Sequence, residues 1–190
     1  MLLQSLSITA ISSISPLGNI SDHIWDMYKE SSHKISFENI NQSQTLVAKL
    51  DAISRQEIEQ LRTENTHYES LDDSVLFAIY TAREAYKHAK WEGDCNFGIN
   101  IGSSRGATSL FERYHREFIE TNQSSTLSSP TTTLGNISSW IAQDLQTKGP
   151  EISHSITCST ALHAVLNGVA WIQSGLCDKF MIGGLSLIHI

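Results

Sequence analysis

Short apolar runs alternate with longer segments of helical periodicity along most of the chain, and this alternation constrains the fold more than any other feature of the sequence. Residues 97–101, 151–157 and 178–182 have the length and apolar character of strands. A helix is predicted over 159–174, between the last two of these strands. Such an order favours a largely parallel sheet covered by helices on both faces, and therefore an α/β fold.

The remaining segments predict further elements. The clearest is a helix that begins at 70–73, because Val75, Ile79 and Ala82 follow a capping residue at helical spacing. The others are a strand over 6–14, a turn over 15–19, a short helix capped by Ser21, a loop over 31–43, a strand over 45–50, a helix with a capping box at 54–57, a polar helix after a turn at 102–106, a loop over 121–133 and a helix over 134–145. Two sets of side chains are expected in the core, namely Leu162, Val165, Leu166, Val169 and Ile172 of the helix over 159–174, and the four tryptophans Trp25, Trp91, Trp140 and Trp171.

The composition excludes several classes of function. With 13 basic and 20 acidic side chains in 190 residues, the formal charge is −7, which argues against general binding of nucleic acids. No apolar run reaches the length of a membrane span, and the first residues lack the basic start of a secretory signal, so a cytoplasmic protein is expected. Cys95, Cys158 and Cys177 are too few and too widely spaced for a disulfide framework or a zinc site, and no cofactor or metal is predicted.

Cys158 lies where a predicted strand gives way to a predicted helix. At such a junction a thiol meets the positive end of the helix dipole and unpaired backbone N–H groups, and both favour the nucleophilic thiolate. The Cys158 N–H would also help to hold an oxyanion. A small buried hydrophobic residue is the alternative interpretation. His163, five residues further on, points away from Cys158 on a helix and is interpreted as a packing residue rather than a base.

A second junction, at 102–106, carries the pattern G-x-S-x-G. In α/β-hydrolases the serine of this pattern follows a strand, precedes a helix and acts as the nucleophile. Ser104 would then need an acid and a histidine downstream, which Asp144 with His154 or His163 could supply. The other interpretation is a glycine turn that lets the backbone pass close to a neighbour.

Residues 149–184, GPEISHSITCSTALHAVLNGVAWIQSGLCDKFMIGG, resemble the active-site segment of the β-ketoacyl synthases, the condensing enzymes of fatty-acid and polyketide synthesis. The shared features are the Gly-Pro turn, the strand, the Cys-Ser pair that opens a helix, and the double glycine after the last strand. Residues 11–18, ISSISPLG, resemble the family's opening strand and turn, and residues 97–106 resemble its second core strand and glycine turn. The resemblance covers nearly the whole chain up to Gly184 and explains the G-x-S-x-G pattern without a hydrolase.

The resemblance implies a thiolase-like fold, of which this chain is the N-terminal half: part of an α-β-α-β-α sandwich with a mixed, largely parallel sheet. It implies that Cys158 accepts an acyl group from a carrier-protein thioester before decarboxylative condensation with a malonyl unit. The family's decarboxylating His pair, or His with Asn, and its supporting Lys lie in the second half, so the fragment is expected to be inactive alone. Thr157 and Thr160 stand where the family usually has Ala and often has Ser or Gly, which is expected to adjust the shape of the pocket.

The resemblance also implies partners. An acidic acyl carrier protein and either a homodimer or a heterodimer with a related subunit are expected. Arg105, Arg113 and Arg116 are candidate members of a basic docking patch, which could also lie in the other half. The alternative functions within the fold are a thiolase-like relative and a non-catalytic partner subunit, although the family's decarboxylating partner subunits typically lack this cysteine.

The predicted domain covers 1–184. After the double glycine the family usually continues with a small residue and Glu, whereas this chain reads LSLIHI over 185–190. The same six residues are the translation of a common transposon-based sequencing adapter. We therefore predict that 185–190 are a non-native tail, and a native gene that encodes LSLIHI at this point would contradict the prediction.

Overall fold

A computed structural model describes residues 5–30, 33–40 and 42–185. Its elements in chain order are α1 (Ser21–Lys29), β1 (Ile35–Ile40), β2 (Ser43–Ala48), α2 (Ala52–Glu64), α3 (Asp73–His88), β3 (Gly98–Ser103), α4 (Thr108–Thr121), α5 (Ser128–Thr132), α6 (Asn136–Leu145), β4 (Glu151–His154), a 3-10 turn (Thr157–Ser159), α7 (Thr160–Gln173) and β5 (Phe180–Leu185). None of the helices in these ranges is long and apolar enough to cross a membrane.

The central strand of the main sheet is β3. It pairs in parallel with β4 on one side and with β5 on the other, so that Ile101 lies opposite both Ser153 and Gly183. All six residues of β3 are buried, because a central strand has neighbours on both edges and is covered by helices on both faces. The α/β prediction is confirmed. The strands β1 and β2 form a separate antiparallel hairpin.

The hydrophobic core lies on one face of this sheet, against α2, α3 and α6. Ile99 of β3 packs in a single cluster with Ile58, Ile79, Ile137 and Ile141, all of them fully buried. Each helix therefore buries one apolar stripe at the spacing that the sequence indicates. Burial of these side chains contributes most of the favourable free energy of this layer, at about 1.5–3 kcal/mol for each large aliphatic side chain.

Asp72 caps two helices with one buried carboxylate. Its Oδ1 accepts a hydrogen bond from the Ser74 N–H of α3 at 2.9 Å, and its Oδ2 accepts one from the Leu110 N–H of α4 at 3.1 Å. The side chain therefore satisfies donors at two helix N-termini, where negative charge is favourable. It fixes the start of α4, and with it the turn that follows β3, to the start of α3. The helix predicted to begin within 70–73 is confirmed, and its cap is Asp72.

Asp144 of α6 is tied to α3 by Arg83. The guanidinium donates to both carboxylate oxygens, at 2.7 and 2.8 Å, and the Tyr68 hydroxyl donates to Oδ1. Burial and the bond to Asp144 raise the pKa of Tyr68 to about 12, and the bond to Asp144 raises the pKa of Arg83. Since the Asp144 side chain is only 5% exposed, its charge is compatible with folding because these partners surround it.

The opposite face of the sheet carries α7 at very short range. A Cβ atom built on Gly102 of β3 would lie 2.3 Å from Cγ2 of Thr160, and one on Gly184 of β5 would lie 2.5 Å from Cβ of Ala161. Glycine at both positions removes the atoms that would otherwise hold the helix away from the sheet. The first turn of α7 is therefore fixed by direct contact with the backbone of two strands.

The outer face of α7 is exposed, contrary to the sequence-based prediction of burial. Leu162 is 74% exposed, Leu166 62% and Val165 43%, whereas Val169 and Ile172 are half-buried. The apolar periodicity of α7 covers more than one stripe, and only the stripe that faces the sheet is covered by the described residues. The prediction of burial was therefore wrong for three of the five side chains.

Other predictions near the N-terminus also need correction. Residues 5–14 contain no strand, and Ile8 and Ile11 are 79% and 71% exposed, because no strand of the described chain pairs with this segment. The loop predicted over 31–43 contains β1. This strand has no clear pattern in its own sequence and forms because it pairs with β2. Trp25 is 64% exposed on α1 instead of anchoring a helix.

Two predicted caps and one predicted loop are also wrong in detail. Ser21 is the first residue of α1, and the cap position of that helix is Ile20. The cap of α2 is Asp51, whose side chain accepts a hydrogen bond from the Ser54 N–H at 2.8 Å. The segment predicted as a loop over 121–133 contains the short helix α5. Of the predicted tail over 185–190, Leu185 ends β5 and the other residues lie outside the described part of the chain.

Substitution of the exposed leucines of α7 is expected to improve the solubility of this chain. Leu162→Gln with Leu166→Gln removes two exposed apolar side chains and should change the free energy of unfolding by less than about 0.5 kcal/mol. Leu76→Gln, at a fully buried position of α3, is the matched control and should cost about 3 kcal/mol or more. Soluble yield, binding of a hydrophobic dye and urea unfolding check both results. Equal losses of stability at the two sites would contradict the exposed face.

Candidate functional site around Cys158

Cys158 lies in the 3-10 turn between β4 and α7, and its side chain is exposed. The strand β4 ends at His154, three residues earlier than the sequence-based prediction, and α7 begins at Thr160. The thiol is thus carried at the entrance to a 14-residue helix. It is fixed in space by the short range at which the first turn of that helix packs on the sheet.

Thr160 closes the turn that carries Cys158. Its Oγ1 accepts a hydrogen bond from the Ile156 N–H at 2.9 Å and donates one to the Thr157 carbonyl. Thr157 has a φ of 48°, a left-handed conformation that costs a β-branched residue about 1–3 kcal/mol. The bonds of Thr160 to both sides of Thr157 offset this strain. Thr160 is 4% exposed, so it supports the turn from below.

His154 and Asn100 lie beneath the same turn. The Nδ1 atom of His154 is 2.9 Å from Oδ1 of Asn100, and its Nε2 atom is 3.0 Å from the Thr160 carbonyl oxygen. Asn100 is fully buried in β3. Sequence reasoning did not identify this pair as part of the Cys158 site, although a polar residue inside the fully buried strand GINIGS was a signal that could have found it.

His163 is directed to the backbone of its own helix. Its Nδ1 atom lies 3.0 Å from the Ser159 carbonyl oxygen, one helical turn earlier. This contact agrees with the interpretation of His163 as a packing residue. No group of His, Cys, Asp or Glu side chains within the described ranges is arranged to hold a metal ion.

The turn after β3 lies beside the turn of Cys158. Ser103 Oγ accepts hydrogen bonds from the N–H groups of Gly106 and Arg105, at 2.9 and 3.4 Å, and the Ser155 hydroxyl donates to the Ser104 carbonyl at 3.4 Å. Gly106 has a φ of 66°, which suits glycine in a sharp turn. The structure therefore brings the two predicted junctions together at one end of the sheet.

The serine-hydrolase alternative is not supported by this geometry. Asp144 is bound to Arg83 and Tyr68 on the other side of the sheet, whereas the ring of His154 is directed to Asn100 and Thr160. Neither histidine considered for a triad has Asp144 as a hydrogen-bond partner. Ser104 therefore lacks the acid–base relay that a serine nucleophile requires, and the glycine-turn interpretation of 102–106 fits the structure.

The candidate docking arginines lie in a region of mixed charge. Arg105 is exposed in the turn after β3, and Arg113 and Arg116 are exposed on α4. Arg113 lies 5.1 Å from the ring centre of Tyr114, and Arg116 shares a shallow surface depression with Glu112 and Glu120. The glutamates reduce the positive potential of α4, so these three arginines do not form a purely basic patch.

The other two thiols are less accessible than Cys158. Cys95 is half-buried and Cys177 is buried. Burial raises the pKa of the Cys177 thiol, which lowers its fraction of thiolate at neutral pH. The three cysteines therefore differ in exposure, and an alkylating reagent reaches an exposed thiol more easily than a buried one.

Comparison with protein families gives a match to the family described as "Beta-ketoacyl synthase, N-terminal domain" over residues 4–189. No curated protein matches the chain significantly. Among solved structures, a β-ketoacyl synthase from Burkholderia phymatum STM815 has a TM-score of 0.71 at 16% sequence identity. The ishigamide ketosynthase/chain length factor has a TM-score of 0.79 at 14% identity.

A third similar structure is AntDE:AntF, a type II PKS acyl-carrier protein in complex with its ketosynthase bound to the hexaketide, with a TM-score of 0.77 at 13% identity. The three alignments cover 88%, 95% and 95% of this chain. They cover only 43%, 52% and 51% of the solved chains. This chain therefore spans about half the length of the proteins whose fold it shares.

Iodoacetamide is expected to modify Cys158 faster than Cys95 and Cys177. The reason is the exposure of Cys158, together with the burial that protects Cys177. Brief labelling of the folded chain followed by peptide mass mapping measures the order, and denatured chain is the control in which the three rates should converge. Faster labelling of Cys95 or Cys177 in the folded chain would contradict the site.

Gly102→Ala is expected to displace the first turn of α7, since the added methyl would lie 2.3 Å from Cγ2 and 3.0 Å from the carbonyl oxygen of Thr160. The free energy of unfolding should fall by about 1–3 kcal/mol, and labelling of Cys158 should slow. Gly135→Ala is the matched control, because no atom lies within 4 Å of its added Cβ. Urea unfolding and the labelling rate check the pair, and equal behaviour of the two variants would contradict the close contact.

Proposed function

The chain belongs to the β-ketoacyl synthase family, whose N-terminal domain it matches over residues 4–189, and on this premise we propose that Cys158 is the nucleophile of a condensing acyltransferase. The observation that carries the proposal is the exposed Cys158 thiol on a strained turn at the start of α7. The arrangement places a soft nucleophile at the end of a helix dipole that favours negative charge.

In the proposed first step the Cys158 thiolate attacks the thioester carbonyl of an acyl group on a carrier protein. A carbon–sulfur bond forms, the carbonyl electrons move to oxygen, and the oxyanion is held by backbone N–H groups of the turn. When the carbonyl is restored, the carrier's thiolate leaves and takes a proton. The acyl group is then bound to Cys158 as a thioester, with one thioester bond broken and one formed.

In the proposed second step, decarboxylation of a malonyl unit on a carrier protein supplies a carbanion equivalent. This carbon attacks the acyl thioester at Cys158, and the thiolate leaves. The described residues contribute the nucleophile and its support, whereas the histidines that assist decarboxylation in this family would come from the second half. We therefore propose that this chain does not complete the condensation alone.

The exposed face of α7 supports the assignment of this chain as half of a larger fold. The exposed apolar side chains of α7 are Leu162, Val165 and Leu166. They follow the turn of Cys158 directly in the sequence. We propose that residues 1–184 are the N-terminal half, and that the remaining half covers this surface and completes the site. Burial of three such side chains would contribute roughly 5 kcal/mol, at about 1.5–3 kcal/mol each.

An acyl carrier protein is the proposed donor of both acyl units, and a homodimer or a heterodimer with a related subunit is the proposed assembly. The structural neighbours support these partners in general terms, because they include a ketosynthase bound to its acyl-carrier protein and a ketosynthase/chain length factor. The mixed charge around Arg116 makes the exposed Arg105, next to the Cys158 turn, the better candidate contact on this half.

Incubation of the chain with an acyl-carrier thioester is expected to add one acyl group at Cys158, since the thiol is exposed, but to yield no condensation product with a malonyl thioester. Intact mass, peptide mapping and product analysis measure the two steps. Cys158→Ala should abolish acylation, and Cys95→Ala should leave it unchanged.

Two outcomes would overturn the assignment. Acylation that persists in Cys158→Ala would place the nucleophile elsewhere, and covalent labelling of Ser104 by a fluorophosphonate would favour the hydrolase. Condensation by the monomeric 190-residue chain would contradict its proposed status as half of the catalytic unit.

A further inference from the structure

The most unusual feature near Cys158 is a polar pair buried under the start of α7. Asn100 is fully buried in the central strand, and its Nδ2 atom is buried without a hydrogen-bond partner. Its Oδ1 atom contacts Nδ1 of His154 at 2.9 Å. A buried polar group without a partner is costly and needs an explanation in the structure around it.

The hydrogen-bond pattern of His154 supplies that explanation. Both of its ring nitrogens face oxygen atoms, Oδ1 of Asn100 and the carbonyl oxygen of Thr160. A neutral imidazole has only one N–H and cannot donate to both. A half-turn of the Asn100 amide brings Nδ2 to Nδ1 of His154, which accepts, and leaves the Nε2–H to donate to Thr160. One amide N–H is then paired and the tautomer of the ring is fixed. Oδ1 takes the position without a partner, where an unsatisfied carbonyl is less unusual than an unsatisfied N–H.

The carbonyl group that His154 holds belongs to the residue that closes the Cys158 turn. Thr160 Oγ1 bonds to the Ile156 N–H and the Thr157 carbonyl, and its methyl group lies over Gly102. His154 thus binds Thr160, which lies two residues after Cys158, from a third direction. The Asn100–His154–Thr160 chain connects the central strand to the turn that carries the thiol.

We propose that His154 is a positioning residue for Cys158, with Asn100 fixing the imidazole and Nε2–H holding the Thr160 carbonyl. His154 acts through Thr160 and does not take part in proton transfer. Its effect is to hold the strained Thr157–Ser159 turn in the one arrangement that presents the thiol. The proposal rests on the assignment of Cys158 as the nucleophile.

Two substitutions separate the contacts of His154. The side-chain amide of His154→Gln reaches the position of Nε2 and can still donate to the Thr160 carbonyl. The shorter amide of His154→Asn lies near the position of Nδ1, so it can meet Asn100 but not Thr160. His154→Gln should therefore retain the hydrogen bond to the Thr160 carbonyl, and His154→Asn should lose it. His154→Leu, which removes both contacts, is the reference for complete loss.

Hydrogen exchange of the 190-residue chain measures the turn directly. In His154→Asn and His154→Leu, peptides that cover 155–164 should exchange about three- to tenfold faster, since a lost hydrogen bond has that effect on an opening equilibrium. In His154→Gln they should exchange as in the parent chain. Peptides from α3 are the control and should be unchanged in all three variants.

Iodoacetamide should label Cys158 of His154→Gln about as fast as Cys158 of the parent chain. In His154→Asn and His154→Leu the labelling should be slower. Two results would overturn the positioning role. One is equal hydrogen exchange over 155–164 in His154→Gln and His154→Asn, and the other is faster exchange throughout the chain of His154→Asn or His154→Leu. Failure of acyl transfer to the parent chain, with the exchange pattern intact, would instead reject the proposed function and leave the contact of His154 with the turn established.

Discussion

The contact between the first turn of α7 and the glycines of two strands is the constraint on which the site depends. Gly102 and Gly184 leave no room for even a methyl group against Thr160 and Ala161. Because the first turn of α7 packs on the backbone of the two strands and not on their side chains, its start cannot slide or tilt without a clash. The position of Cys158 is therefore determined by the sheet, although the cysteine itself contacts solvent.

The two faces of the sheet perform different tasks. One face buries the aliphatic cluster of α2, α3 and α6, and the charged network of Asp144, Arg83 and Tyr68 joins two of these helices. The other face carries the polar chain from Asn100 through His154 to Thr160 and the helix that presents the thiol. Stability is thus concentrated away from the turn of Cys158, where left-handed Thr157 stores strain.

Sequence reasoning predicted the elements that are held by their own patterns. The helix α3 and the order of β3, β4, α7 and β5 follow from local signals that agree with the tertiary packing. It failed where a partner decides the structure. The strand β1 exists because β2 pairs with it, the segment 5–14 has no strand partner in the described chain, and the exposure of Trp25 depends on what packs against α1. Cys158 was visible as a junction, whereas Asn100 and His154 are 54 positions apart and meet only through the register of β3 and β4.

The same dependence on partners fits the proposal that this chain carries a nucleophile without being a complete catalyst. Backbone contacts within one βαβ unit suffice to hold a thiol, since β4, α7 and β5 are consecutive and pack on β3. A condensation also needs groups that act on the second substrate from the opposite side of the thiol. The exposed face of α7 presents Leu162, Val165 and Leu166, side chains that can bind a packed surface but cannot move a proton. In the proposed assembly, the exposed apolar face of α7 is therefore the surface that the half with the decarboxylating groups would cover.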